Sequence, residues 1–154
     1  MSLASKFFHS GGVALKGYDP VAFFTLKQAH LGKATIALNW EGLEWRFVNE
    51  SHRDQFAAEP EKYLPQYGGF CAFGASEGYK ASVKPTAFTI HNGRLYFNFA
   101  HYIKKRWLET KERRIEQADL NWEAIQSTEP IRAHPVPIWW KHQIFKLLGR
   151  DTLG

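Results

Sequence analysis

The sequence predicts an α+β domain, a small antiparallel sheet from two hairpins packed with short helices and followed by a helical C-terminal region. Three observations predict it. Period-two alternation of apolar and polar residues occurs at Leu43, Glu44, Trp45, Arg46 and Phe47, the pattern of a half-buried strand. An Asn-Gly dipeptide at Asn92-Gly93 sits between two apolar runs, a strong hairpin signal. Beyond Phe99 the apolar residues change to helical spacing, with Ile103 and Trp107 four apart and Ile115, Ala118, Trp122 and Ile125 at three, four and three.

Taken in order, Gly17-Tyr18-Asp19-Pro20 is a turn, with Pro fixing φ and the Asp carboxylate within reach of nearby backbone. A short apolar run covers 21–26. Segments 34–38 and 44–48 flank Trp40-Glu41-Gly42 as the first hairpin. Asn49 is a suitable N-cap for a helix over 50–58, with Phe56 facing inward. Pro60 opens a second helical turn that carries Tyr63 and Leu64, and Pro65 ends it. The stretch 66–79, rich in Gly and aromatic residues, reads as a loop whose rings need burial. Segments 87–90 and 95–99 form the second hairpin around His91-Asn92-Gly93. Basic residues crowd the first half of the helical region and acidic ones the second, opposite to the macrodipole preference, so a break is expected near 110–114. Pro130, Pro135 and Pro137 end the domain. Residues 10–126 are therefore the domain, and 127–154 a Pro-rich linker with a short amphipathic helix at 138–148.

Composition limits the function classes. The 154 residues carry 20 Lys and Arg against 15 Asp and Glu, a net charge of +5. The surplus is spread over both halves of the chain, and the one basic block, Lys104 to Arg114, reads as a solvated helix face rather than a phosphate track. A nucleic-acid partner is disfavoured. One cysteine excludes an intramolecular disulfide and any four-thiolate zinc site within a chain. No phosphate loop, dinucleotide glycine pattern, nucleophile elbow or zinc-protease motif is present. The first thirteen residues lack the apolar core of an export signal, so the chain reads as cytoplasmic, or periplasmic if a signal has been removed.

The segments Gly17-Tyr18-Asp19-Pro20-Val21-Ala22-Phe23-Phe24, Trp45-Arg46-Phe47 and 60–72 (Pro-Glu-Lys-Tyr-Leu-Pro-Gln-Tyr-Gly-Gly-Phe-Cys-Ala) resemble bacterial YHS domain-containing (seleno)proteins. Gly93-Arg94-Leu95-Tyr96, Trp107 and Ala118-Asp119-Leu120-Asn121-Trp122 fit the same group, and the resemblance spans about residues 10–126. Some relatives encode selenocysteine where this chain has Cys71, which implies chemistry at that atom and makes Cys71 the candidate catalytic residue. Metal-binding members of the wider family place cysteines at positions occupied here by Ala22, Val48 and His52. The soft-metal cage is therefore largely replaced. A transition metal such as copper would be left with Cys71, His52 and His101 as weak candidate ligands.

A ligand-binding site is expected around Cys71, with Tyr18, Asp19, Tyr67, Gly68, Gly69 and Trp107 shaping it and the Gly68-Gly69 N–H groups stabilising a thiolate. With no second cysteine, a redox cycle would need a small thiol reductant or a partner. Against this stands the simpler reading in which Cys71 fills the core, the tyrosines pack, and His52, His91 and His101 lie at the surface. The tail, with Ile138, Trp140, Ile144, Phe145, Leu147 and Leu148 on one side, suits packing or homodimer formation, or peripheral contact with a membrane.

Overall fold

The computed structural model describes residues 6–131. The tail helix expected at 138–148 lies outside the described residues. Among the described residues there are two sheets and six α-helices. The strands are β1 (His9–Ser10), β2 (Val13–Ala14), β3 (Lys33–Trp40), β4 (Leu43–Phe47), β5 (Phe88–His91) and β6 (Arg94–Phe97). The helices are α1 (Ala22–Thr25), α2 (Glu50–Ala58), α3 (Pro60–Tyr63), α4 (Ala72–Glu77), α5 (His101–Glu109) and α6 (Lys111–Ile125).

The two hairpins do not share a sheet. Strands β3 and β4 pair antiparallel, and β4 also pairs parallel with β2, giving the mixed order β1-β2-β4-β3. Strands β5 and β6 form a separate antiparallel ribbon across the Asn92-Gly93 turn. The α+β class holds. The sheet, however, is extended by two-residue strands too short to leave a periodic signature.

The alternation in β4 buries Leu43, Trp45 and Phe47. Trp45 stacks on Phe56 of α2 at 5.1 Å, and Phe7 and Trp40 meet the same indole edge-on. A second group joins Phe23 of α1 to Phe88 and Phe97 of the ribbon, at 4.9 and 5.0 Å. A third runs from Trp107 through Tyr96 and Tyr67 to Trp122, tying the ribbon to α5 and α6. Each fully buried ring of this kind contributes about 1.5–3 kcal/mol of transfer free energy, so the aromatic excess is mainly core.

The helical region breaks where the charge order requires. Thr110 leaves helical geometry (φ −133°, ψ 32°) between α5 and α6. Lys80, almost wholly buried, donates from Nζ to the carbonyl of Gln126 at 2.9 Å, a cation on the C-terminal end of α6.

Residues 66–79 are more ordered than a loop. Gln66–Gly69 is a tight turn with Tyr67, Gly68 and Gly69 all at positive φ, and α4 follows directly. Its glycines are close-approach positions: a Cβ on Gly68 would lie 1.7 Å from the Lys6 carbonyl oxygen, and one on Gly69 2.8 Å from Leu15. The helix was hidden because Ala-Phe-Gly-Ala-Ser-Glu is too short to show a period.

Candidate functional site

Besides Lys80 and Ser76, the buried polar side chains among the described residues gather at two places. The first is built around Asp19, which is fully buried. One carboxylate oxygen accepts from the backbone N–H groups of Val21 and Ala22, at 2.8 and 3.2 Å, and so holds the first turn of α1. The other accepts from Val48 N at 2.9 Å and from Nδ1 of His52 at 2.7 Å. His52 is delivered by α2: Asn49 caps that helix and accepts from His52 N at 2.7 Å. The imidazole then turns back over Asp19, with Nε2 3.1 Å from Oγ1 of Thr25. His52 is thus 6% exposed rather than a surface histidine, because its ring satisfies a buried carboxylate that would be costly to leave unpaired.

The second place is Cys71, which is 2% exposed. It is the N-cap of α4, and its sulfur accepts from Gly74 N at 3.4 Å. The backbone N–H groups of Phe73 and Phe99 also face it. The thiol in turn lies 3.5 Å from Oδ1 of Asn98, positioned to donate, and the same oxygen accepts from Phe73 N at 3.0 Å. Asn98 is fully buried, and its Nδ2 has no partner among the described residues. Arg114 lies 3.8 Å over the Phe73 ring and donates to Ser76 Oγ and Glu77. Burial raises the Cys71 pKa more than the three N–H groups and Arg114 lower it. An S–H donating to a carbonyl oxygen also favours the neutral form, so the resting group is a thiol. Burial first, and coupling to Cys71 second, raise the pKa of the Tyr102 phenol.

The expected single site is therefore divided. Asp19 joins His52 and Thr25. Tyr18 is half-buried and makes an antiparallel bridge to Leu31. Trp107 is fully buried, its ring 5.2 Å from Tyr96. Gly68 and Gly69 admit the N-terminal segment, with Gly68 O accepting from Phe8 N at 2.7 Å. The donors at the sulfur come from Gly74, Phe73 and Phe99 instead, because α4 turns the chain away from the glycine pair.

Tyr67 donates to Asp119 at 2.9 Å and, with Lys6, Gln66, Gly68 and Trp122, lines a cleft of about 320 Å³. Burial, then the hydrogen bond to Asp119, raises its pKa well above the ordinary phenol value. His101 is exposed and pairs with Thr86 at 3.1 Å. Cys71, His52 and His101 thus have separate partners, and among the described residues no three His, Cys, Asp or Glu side chains gather to hold a metal ion. The basic block is partly absorbed as well: Arg106 pairs with Glu109 and Arg114 with Glu77.

Asn98, Thr25, Asp119 and Arg114 were not legible as site residues. A lone Asn inside Leu-Tyr-Phe-Asn-Phe was the one local signal, a polar side chain in an otherwise apolar run. Compared with protein-family models, curated proteins and solved structures, the chain matches none. Fold and geometry define it as a small α+β protein with two polar nodes, one carboxylate-imidazole and one thiol-carboxamide. Among the described residues no helix is long and apolar enough to cross a membrane.

Proposed function

We propose that this is a small YHS-like ligand-binding protein with a redox-active thiol at Cys71. The observation that carries the reading is the set of donors around one sulfur: N–H groups from Gly74, Phe73 and Phe99, with the unpartnered Nδ2 of Asn98 on the carboxamide that touches it. Capping α4 accounts for the Gly74 and Phe73 donors, whereas the Phe99 N–H and the Asn98 carboxamide reach the sulfur from outside that helix. An oxygen added to the sulfur would find a donor in that amide.

The reaction balances with two external reactants. A hydroperoxide transfers one oxygen atom to the Cys71 thiol, giving a sulfenic acid and leaving as the alcohol or water. A small thiol condenses with the sulfenic acid, releasing water and forming a mixed disulfide. A second thiol then attacks that disulfide, restoring Cys71 and leaving as the oxidised disulfide. Because burial holds the group as a neutral thiol, the first step requires that the α4 end open to solvent. The test is peroxide treatment of the folded full chain with a sulfenic-acid-specific probe, alongside thiol-dependent peroxide turnover. Labelling at Cys71 and turnover lost in Cys71→Ser are expected. A Cys71 that neither labels nor alkylates until the protein unfolds would sink the proposal.

A second reading is favoured by the 2% exposure and the N-cap geometry. In it the chain is a non-catalytic interaction module, Cys71 is structural, and the tail within residues 131–154 supplies the contact to a second copy or to a membrane surface. It expects deletion of 131–154 to change sedimentation or vesicle binding while Cys71→Ala leaves both unchanged. Neither property moving on deletion would refute it. A metal-linked version of the thiol site gains no support, since its candidate ligands lie with different partners.

A further inference from the structure

The Asp19–His52 pair holds three segments together, yet structural needs alone do not account for where the imidazole ends. Its far nitrogen faces the hydroxyl of Thr25, an exposed residue at the last position of α1. The direction of the bonds follows from the donors. Three of the four partners of the Asp19 carboxylate are backbone N–H groups, which can only donate. Both oxygens are thus acceptors, and His52 Nδ1 at 2.7 Å must carry its proton toward Asp19. In the neutral ring this leaves Nε2 with a free lone pair, 3.1 Å from Thr25 Oγ1. The hydroxyl proton has one competing acceptor, the carbonyl of Val21 at 3.2 Å.

A hydroxyl, an imidazole acceptor and a buried carboxylate that fixes the tautomer are the elements of an activated nucleophile, recognised by geometry rather than by sequence order. The geometry points to Thr25 as a nucleophilic hydroxyl, with His52 as general base and Asp19 as its positioning residue, that accepts the acyl group of an activated ester or thioester. In the step the Thr25 oxygen forms a bond to the acyl carbon. The bond from that carbon to the leaving oxygen or sulfur breaks. The Thr25 proton passes to His52 Nε2 and then to the leaving alkoxide or thiolate. No oxidant or metal enters the balance. Thr25 is exposed, and the cleft beside Tyr67 is lined by other residues, so the acyl donor would arrive directly from solvent. The inference is independent of any role for Cys71.

The experiment uses the full chain and p-nitrophenyl acetate as the acyl donor, reading p-nitrophenol release and mapping the acetyl group by peptide mass spectrometry. An acetyl group on Thr25 is expected, lost in Thr25→Val, which keeps the shape and removes the oxygen. In His52→Asn the amide can still donate to Asp19 while no base faces Thr25, and acylation there should fall by about 10²-fold or more. Thr25→Ser should acylate faster, since a primary hydroxyl is less hindered, and that gain should vanish when His52→Asn is added, which a purely structural threonine would not show. Acetyl groups on lysines or on His52 with none on Thr25 would overturn the inference. So would equal labelling of Thr25 in wild type and His52→Asn. Should His52→Asn fail to fold by circular dichroism, the wild type decides the question: Thr25 should acetylate faster in the folded chain than in the chain unfolded in urea, and an equal or slower rate in the folded chain would overturn the inference.

Discussion

Replacing Asp19 by Asn keeps the shape of the side chain but removes its charge and one acceptor. Four hydrogen bonds end on the carboxylate, from Val21 N, Ala22 N, Val48 N and His52 Nδ1, at 2.8, 3.2, 2.9 and 2.7 Å. The amide can present oxygen to only one side. With its oxygen toward α1, the NH₂ group faces Val48 N–H and His52. The imidazole can answer by moving its proton to Nε2 and accepting at Nδ1, but Val48 N–H cannot. One buried N–H left without an acceptor costs about 1–3 kcal/mol, and loss of charge on the remaining bonds adds about 1 kcal/mol. The expected loss is about 2–4 kcal/mol, within the roughly 5–15 kcal/mol of a typical domain, so the variant should still fold. In urea unfolding, with a slope of about 2 kcal/mol per molar, the midpoint should drop by about 1–2 M at constant slope. A loss under about 1 kcal/mol would refute the assignment of Asp19 as the junction of these segments.

Other substitutions test the rest. Gly68→Ala combines a left-handed backbone (φ +63°) with an overlap at the Lys6 carbonyl. It should cost about 2–4 kcal/mol through strain and loss of the Phe8–Gly68 hydrogen bond, and unchanged chemical stability would mean that the N-terminal segment does not dock there. Tyr67→Phe should cost about 1 kcal/mol at neutral pH. Since the folded Tyr67 pKa is raised, its stabilising contribution is complete below about pH 10 and is lost as pH rises beyond it. The variant should therefore flatten the alkaline decline, and an identical alkaline profile would contradict this. Cys71 follows the same sign: its raised folded pKa makes native alkylation slower than that of the unfolded chain near pH ~8.5. Equal rates would show an open site. Cys71→Ala should lose about 0.5–2 kcal/mol of capping, whereas Cys71→Ser, a better cap, should restore it, as read by thermal unfolding.

Much of the domain was legible because its signals are local. The β4 alternation, the Asn-Gly turn, the Asn49 cap and the break at Thr110 each rest on residues a few positions apart, and each appears where expected. Asp19 was legible as a turn residue that bonds nearby backbone, which Val21 and Ala22 realise. The sequence by itself thus determined the types of these longer elements and the candidate status of Cys71 and Asp19, whereas β1, β2 and α4 were too short to leave a period.

Only the tertiary structure decided what these residues touch. Asp19 and His52 are 33 positions apart, and Cys71 and Asn98 are 27 apart. No local spacing encodes such pairings. They arise because a buried carboxylate or carboxamide must be satisfied by whatever donor the packing brings near. The same requirement draws His52 inward from its expected surface position, turns Gly68 and Gly69 into a seat for the N-terminal segment, and separates one expected site into two.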